Sequence, residues 1–215
     1  MRVLLIGGRG SIGRRYEKIL KFLDQEVIIF DTADREHPSI KKNEYYIESL
    51  RSMNNGSWDK AIVCSPTKMH YSHVRGLLDL RKKYGKKDIL VEKPVSKDPL
   101  EIEKINQDRV FMVCNYKFAL VGRRPLEWTY YNTGSDGAYW DLIQLLHINP
   151  ALKISTEGTI WKLKTNEGDL TYREVEQGYH DMVSSFLFKP DLWDMNDALE
   201  ATNLIRSMYV QDTER

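Results

Sequence analysis

Five short apolar runs dominate the first half of the chain: Val3–Ile6, Val27–Phe30, Ala61–Val63, Ile89–Val91 and Val110–Val113. None contains a polar residue, so each needs cover on both faces if it becomes a strand. Helical spacing fills the intervals. Ile12, Tyr16, Ile19, Leu20 and Leu23 follow the first run, and Val74, Leu77, Leu78 and Leu80 lie within 70–84. Segment 98–107, opened by Pro99, reads as a further helix. Doubly buried strands alternating with helices build an α/β, doubly wound parallel sheet. In such sheets ligands sit beyond the carboxyl ends of the strands, so the residues that close each run are the ones to read.

The first run ends in "GGRGSIGRR" (7–15), which puts Gly8, Gly10 and Gly13 at G-x-G-x-x-G spacing between a strand and a helix. That context marks a dinucleotide loop, with Arg9, Ser11 and Ile12 as its intervening cofactor-side positions. Gly8 would permit the turn, Gly10 the approach of a pyrophosphate, and Gly13 close packing of helix on strand. The helix N-terminus offers the phosphates free N–H groups and the positive end of its dipole. Asp31 closes the second run, where a carboxylate accepts hydrogen bonds from an adenosine ribose and repels a 2′-phosphate. Thr32 and Ala33 add no cation. NAD(H) is therefore favoured as cofactor, with NADP(H) kept open by Arg35.

Composition excludes several other classes. The chain has 215 residues, enough for one large domain or two small ones, and its formal net charge is +1. That balance gives no electrostatic reason for nucleic acid or an anionic membrane as partner. The basic run "RKKYGKK" (81–87) reads as a solvated helix end. Two cysteines, Cys64 and Cys114, close apolar runs without metal-site spacing, and reduced thiols are expected. The first apolar run is too short for a secretory leader, and no window approaches the ~18 apolar residues of a membrane span. A cytoplasmic location is expected.

The remaining strand ends carry a resemblance. "CSPTKMHYSHV" (64–74), "VEKPVSKDP" (91–99) and "CNYKF" (114–118), together with the glycine loop, resemble the Gfo/Idh/MocA oxidoreductases over essentially the first 120 residues. The resemblance implies an N-terminal Rossmann domain (1–120) and a shortened C-terminal α+β substrate domain (121–215). It implies that Cys64, Ser65, Pro66, Thr67 and His70 line the nicotinamide side of the cofactor pocket. Glu92 would support the cofactor, and Lys93 would face the reacting hydroxyl or carbonyl. Burial and a nearby nicotinamide cation would depress the Lys93 pKa toward working pH, suiting it to proton transfer. Asn115 and Lys117 would bind substrate, Lys117 replacing the commoner arginine.

Beyond Phe118 the alternation stops. "LEWTYYN" (126–132) and "GTIWKLKT" (158–165) read as antiparallel strands, "DGAYWDLIQLLHI" (136–148) as a helix capped by Asp136, and 171–189 and 194–210 as two more helices. "YWDLIQLLHI" is similar to a helix of the family's surface-polysaccharide sugar branch, which implies catalytic roles for Asp141 and for position 144. There Gln144 replaces the active-site histidine, and a glutamine cannot exchange a proton. His147 and His180 are substitute substrate-side candidates, although Asp141 and His147 fall on different faces of the helix. The family's open substrate-domain sheet implies a homo-oligomer, and Trp128, Tyr130 and Tyr131 could mark an interface or core packing. Three functions follow: oxidoreduction of a sugar or nucleotide-sugar-like CH–OH group, a dinucleotide-binding sensor or scaffold that has lost catalysis, and a bilin-type reductase. The third commonly has tyrosine where this chain has Lys93.

Overall fold

The computed structural model of the chain describes residues 1–31, 58–129, 136–155 and 162–203, and the five apolar runs pair side by side in it. In chain order the elements are β1 (Arg2–Ile6), α1 (Ser11–Phe22), β2 (Glu26–Phe30), β3 (Lys60–Val63) and α2 (His70–Tyr84). Then come β4 (Asp88–Val91), α3 (Pro99–Ile105), β5 (Val110–Met112), α4 (Asn115–Ala119) and β6 (Pro125–Thr129). The rest are α5 (Asp136–Ile148), β7 (Lys153–Ser155), β8 (Lys162–Thr165), β9 (Gly168–Leu170), α6 (Tyr172–Phe188), β10 (Trp193–Asp194) and a helical stretch at 195–203.

The first sheet runs β2-β1-β3-β4-β5-β10, parallel throughout except for antiparallel β10. Alternation within each run divides its side chains between two cores. Val3, Leu5, Ile62, Leu90 and Val113 pack under α1 and α6. Leu4, Ile6, Ala61, Val63, Ile89 and Val91 pack under α2, α3 and the stretch 195–203. The order reverses between β2 and β3 around β1, which opens a crevice beyond the carboxyl ends of β1 and β3.

The second sheet, β7-β6-β8-β9, is small, and its core joins Trp128, Leu163 and Leu170 to Leu142 and Leu145 of α5 and Tyr116 of α4. Trp128 is buried there, so core packing accounts for it; Tyr130, Tyr131 and residues 158–161 lie outside the described residues. The C-terminal half does not stay with this sheet. Tyr179, Met182, Val183, Phe186 and Leu187 of α6 complete one core of the first sheet, and β10 closes its edge beside β5. The described residues between 121 and 203 are thus shared between the two sheets, the apolar face of α6 packing on the larger one. Its start is fixed locally by a capping box, Thr171 with Glu174.

Candidate functional site

The loop after β1 packs backbone against backbone. Gly7 has a φ of +86°, and a Cβ there would lie 2.6 Å from Ser65 Cα, so this glycine lets the ends of β1 and β3 meet. At Gly13 a Cβ would lie 2.4 Å from the Gly7 oxygen, which lets α1 start directly on the loop. Gly10 differs: a Cβ there would meet only the Gly7 oxygen, at 3.4 Å. Gly10 is also the N-cap of α1, with no side-chain cap and no acid in the first turn. Open space before uncapped N–H groups fits a pyrophosphate. Asp31 Oδ2 accepts the Arg9 N–H at 2.9 Å, holding a carboxylate beside the loop where an adenosine ribose would lie. Ser11 is exposed at the start of α1, while Gly8 and Ile12 pack downward, Ile12 on the α1 core.

Two histidines organise the strand ends at β3 and β4. His70 is buried, with Nε2 2.6 Å from the Ser65 oxygen and Nδ1 2.7 Å from the Pro94 oxygen. It therefore ties the β3 turn to the β4 turn. Burial lowers its pKa, against the two carbonyls, which favour the charged ring. His73, missed by the sequence reading, holds Ser65 Oγ at 2.8 Å, and burial pulls its pKa down to about 4. Cys64 turns its thiol to the Ile6 oxygen at 3.1 Å, and burial pushes its pKa up. Pro66 is exposed and Thr67 half-buried in the short turn leading to α2.

Beyond β4 the charged residues are enclosed. Glu92 is buried, accepting from Tyr16 Oη at 2.6 Å on one oxygen and from the Lys93 N–H at 3.0 Å on the other. Lys93 Nζ pairs with Asp141 of α5 and lies 5.4 Å from the Tyr116 ring centre; its side chain is only 13% exposed. Burial lowers the lysine pKa, but Asp141, then Tyr179 and Glu92, outweigh it, and the net shift is upward. The carboxylates thus keep Lys93 an ammonium, whereas the expected depression belongs to a lysine beside a bound nicotinamide cation.

Gln144, one helical turn from Asp141, is buried and accepts the Tyr116 N–H at 3.3 Å, anchoring the first turn of α4. Its Nε2 and Asn115 Oδ1 are buried without a protein partner among the described residues. The other candidates sit elsewhere. Lys117 Nζ is held by Asp191 at 2.8 Å. His147 packs edge-on against Trp193 and lies 3.8 Å from Asp197, turned from Asp141 as the helical angle requires. His180 stacks edge-on with Phe22 on the outer side of α1. Tyr16 went unnoticed in sequence because its spacing matches core residues; only its hydroxyl reveals the role. No cluster of three or more His, Cys, Asp or Glu able to hold a metal occurs among the described residues.

A switch point in the strand order, an open glycine loop and a carboxylate beside it define a dinucleotide-binding Rossmann fold. The family model described as "Oxidoreductase family, NAD-binding Rossmann fold" matches residues 1–108, and the chain belongs to this Gfo/Idh/MocA family. No curated protein matches the chain. Solved structures share the fold. The WlbA (WbpB) dehydrogenase of Thermus thermophilus, in complex with NAD and UDP-GlcNAcA, superposes with a TM-score of 0.59 at 14% identity, over 94% of this chain and 92% of that one. UDP-N-acetylglucosamine 3-dehydrogenase GnnA of Acidithiobacillus ferrooxidans gives 0.61 at 13% identity, over 98% and 97%. No helix among the described residues is long and apolar enough to cross a membrane.

Proposed function

We propose that the chain uses NAD(H) to interconvert a hydroxyl and a carbonyl on a sugar or nucleotide-sugar-like molecule, with Lys93 handling the proton. The observation that carries this reading is the enclosed Lys93–Asp141 pair beyond β4, on the edge of the first sheet that holds the dinucleotide loop. A bound nicotinamide would supply the hydride chemistry. The loop Gly8–Gly13 receives the pyrophosphate, and Asp31 receives the adenosine ribose, which favours NAD over NADP. Lys93, an ammonium at rest, donates a proton to the substrate oxygen in the reducing direction and polarises the same carbonyl. Asp141 keeps that ammonium charged and aimed. Glu92, locked by Tyr16, fixes the backbone from which Lys93 projects. Asn115 Oδ1 and Gln144 Nε2 offer an unpartnered acceptor and donor for substrate hydroxyls. The UDP-sugar partners of the two related dehydrogenases support a carbohydrate substrate.

One rival has an observation behind it: Gln144 cannot act as an acid or base, and a chain without that function would bind the dinucleotide without turning anything over. A panel of sugars, keto-sugars and nucleotide sugars, followed by absorbance of the reduced nicotinamide, separates the two. Turnover with some member, reduced about 10²–10⁴-fold in Lys93→Met, supports the enzyme. Tight NAD(H) binding with no turnover on any member supports the rival.

A further inference from the structure

Tyr179 of α6 stands at the carboxyl end of the first sheet, among the residues that surround Lys93. Two contacts pin the helix there. A Cβ on Gly178 would lie 2.7 Å from the Asn115 oxygen, so a glycine lets α6 lie close against the start of α4. Met182 Sδ then accepts the Cys114 N–H at 3.4 Å, just beyond β5. Between these contacts the Tyr179 ring is held from two sides. The Tyr16 ring meets it edge-on with centres 6.1 Å apart, and Tyr16 is the residue that bonds Glu92. The Arg15 guanidinium lies 4.7 Å over its face and is itself anchored by Glu176 at 2.9 Å. Arg15 belongs to α1, the helix that opens on the dinucleotide loop.

The hydroxyl is not held as the ring is. It makes no hydrogen bond to any described residue, although only 5% of Tyr179 is exposed. A buried phenol ordinarily finds a partner, as neighbouring Tyr16 does in Glu92. Burial, with Glu92 and Asp141, raises the Tyr179 pKa against the opposing pull of Lys93 and Arg15. The phenol therefore stays protonated at neutral pH and is a donor there. The same charges mark its place: after Asp141, Tyr179 is the strongest influence raising the Lys93 pKa, ahead of Glu92.

We infer that the Tyr179 hydroxyl donates a hydrogen bond to the substrate oxygen that Lys93 serves, as a second donor fixed in place before the substrate arrives. The inference rests on the proposed interconversion of a hydroxyl and a carbonyl at Lys93. Such a bond strengthens as charge develops on the carbonyl oxygen, so its loss falls on kcat. Tyr179→Phe keeps the ring and removes only the hydroxyl. Carbonyl reduction by the full chain is followed in wild type and variant with the best substrate of the sugar panel, beside the KM for NADH and the melting temperature. A kcat at least about tenfold lower is expected, with the KM for NADH and the melting temperature unchanged, because the hydroxyl holds no protein group. Equal kcat in the two proteins, a loss confined to the KM for NADH, or a lower melting temperature in the variant would overturn the inference and leave the role of Lys93 standing. A wild type that turns over no member of the panel would overturn the enzymatic reading, and this inference with it.

Discussion

The two ends of β4 each enclose a group of opposite charges, and the groups differ in kind. At the edge where β4 begins, buried Asp88 is held by Lys60 at 2.7 Å and Arg109 at 2.5 Å. Lys60 comes from β3, and Arg109 immediately precedes β5, so the charges stitch three neighbouring strands of one sheet. At the edge where β4 ends, Lys93 belongs to the first sheet and its partner Asp141 to a helix packed on the second. One network is closed within a single sheet; the other spans two cores beside an open crevice. The same chemistry thus serves stability at one end of β4 and, in our reading, proton transfer at the other.

The comparison breaks first at Asp88. Asp88→Ala leaves Lys60 enclosed without its carboxylate and should cost about 3 kcal/mol, the lower end for a broken buried pair because Arg109 is 46% exposed. Denaturant melts measure this, and a loss under 1 kcal/mol would make the network ornamental. Acid should expose the same group. Burial raises the Asp88 pKa, but Arg109 and Lys60 outweigh it and hold it below the ordinary carboxylate value. Its stabilisation is therefore present above the unfolded value near 4 and is lost as pH falls through the lower folded value. Asp88→Asn should flatten the melting-temperature profile below about pH 4.

Smaller effects sharpen the functional edge. Tyr16→Phe removes the hydroxyl donor from buried Glu92 and should cost about 1–2 kcal/mol of stability, with a lower kcat beside it. Tyr16→His, able to donate again, should recover part of the rate; equal rates in all three would remove Tyr16 from the site. His147→Gln should change turnover less than about twofold, since the ring faces Trp193 and Asp197.

Local patterning explains what was legible in sequence. Strand ends, the glycine loop and Asp31 are set by neighbours within a few residues, and apolar periodicity placed all five parallel strands. What sequence could not place depends on distant pairing. An amphipathic pattern in α6 says that a face is buried, not that it returns to the first sheet. Tyr16 and Glu92 lie 76 residues apart, and nothing local distinguishes a core tyrosine from one whose hydroxyl holds a carboxylate. The pull of Asp141 on the Lys93 pKa was hidden for the same reason, since the two lie 48 residues apart.

That dependence supplies the most direct test. The rate of carbonyl reduction should be followed against pH in the wild type and in Asp141→Asn, with Lys93→Met as baseline. With its pKa raised, Lys93 stays protonated through neutral pH, so the wild-type rate should hold level and fall only above the ordinary lysine value of about 10.4. Removing the Asp141 charge should leave burial as the dominant influence and move that fall to lower pH. An identical alkaline fall in both proteins, or a Lys93→Met rate equal to wild type, would contradict the account.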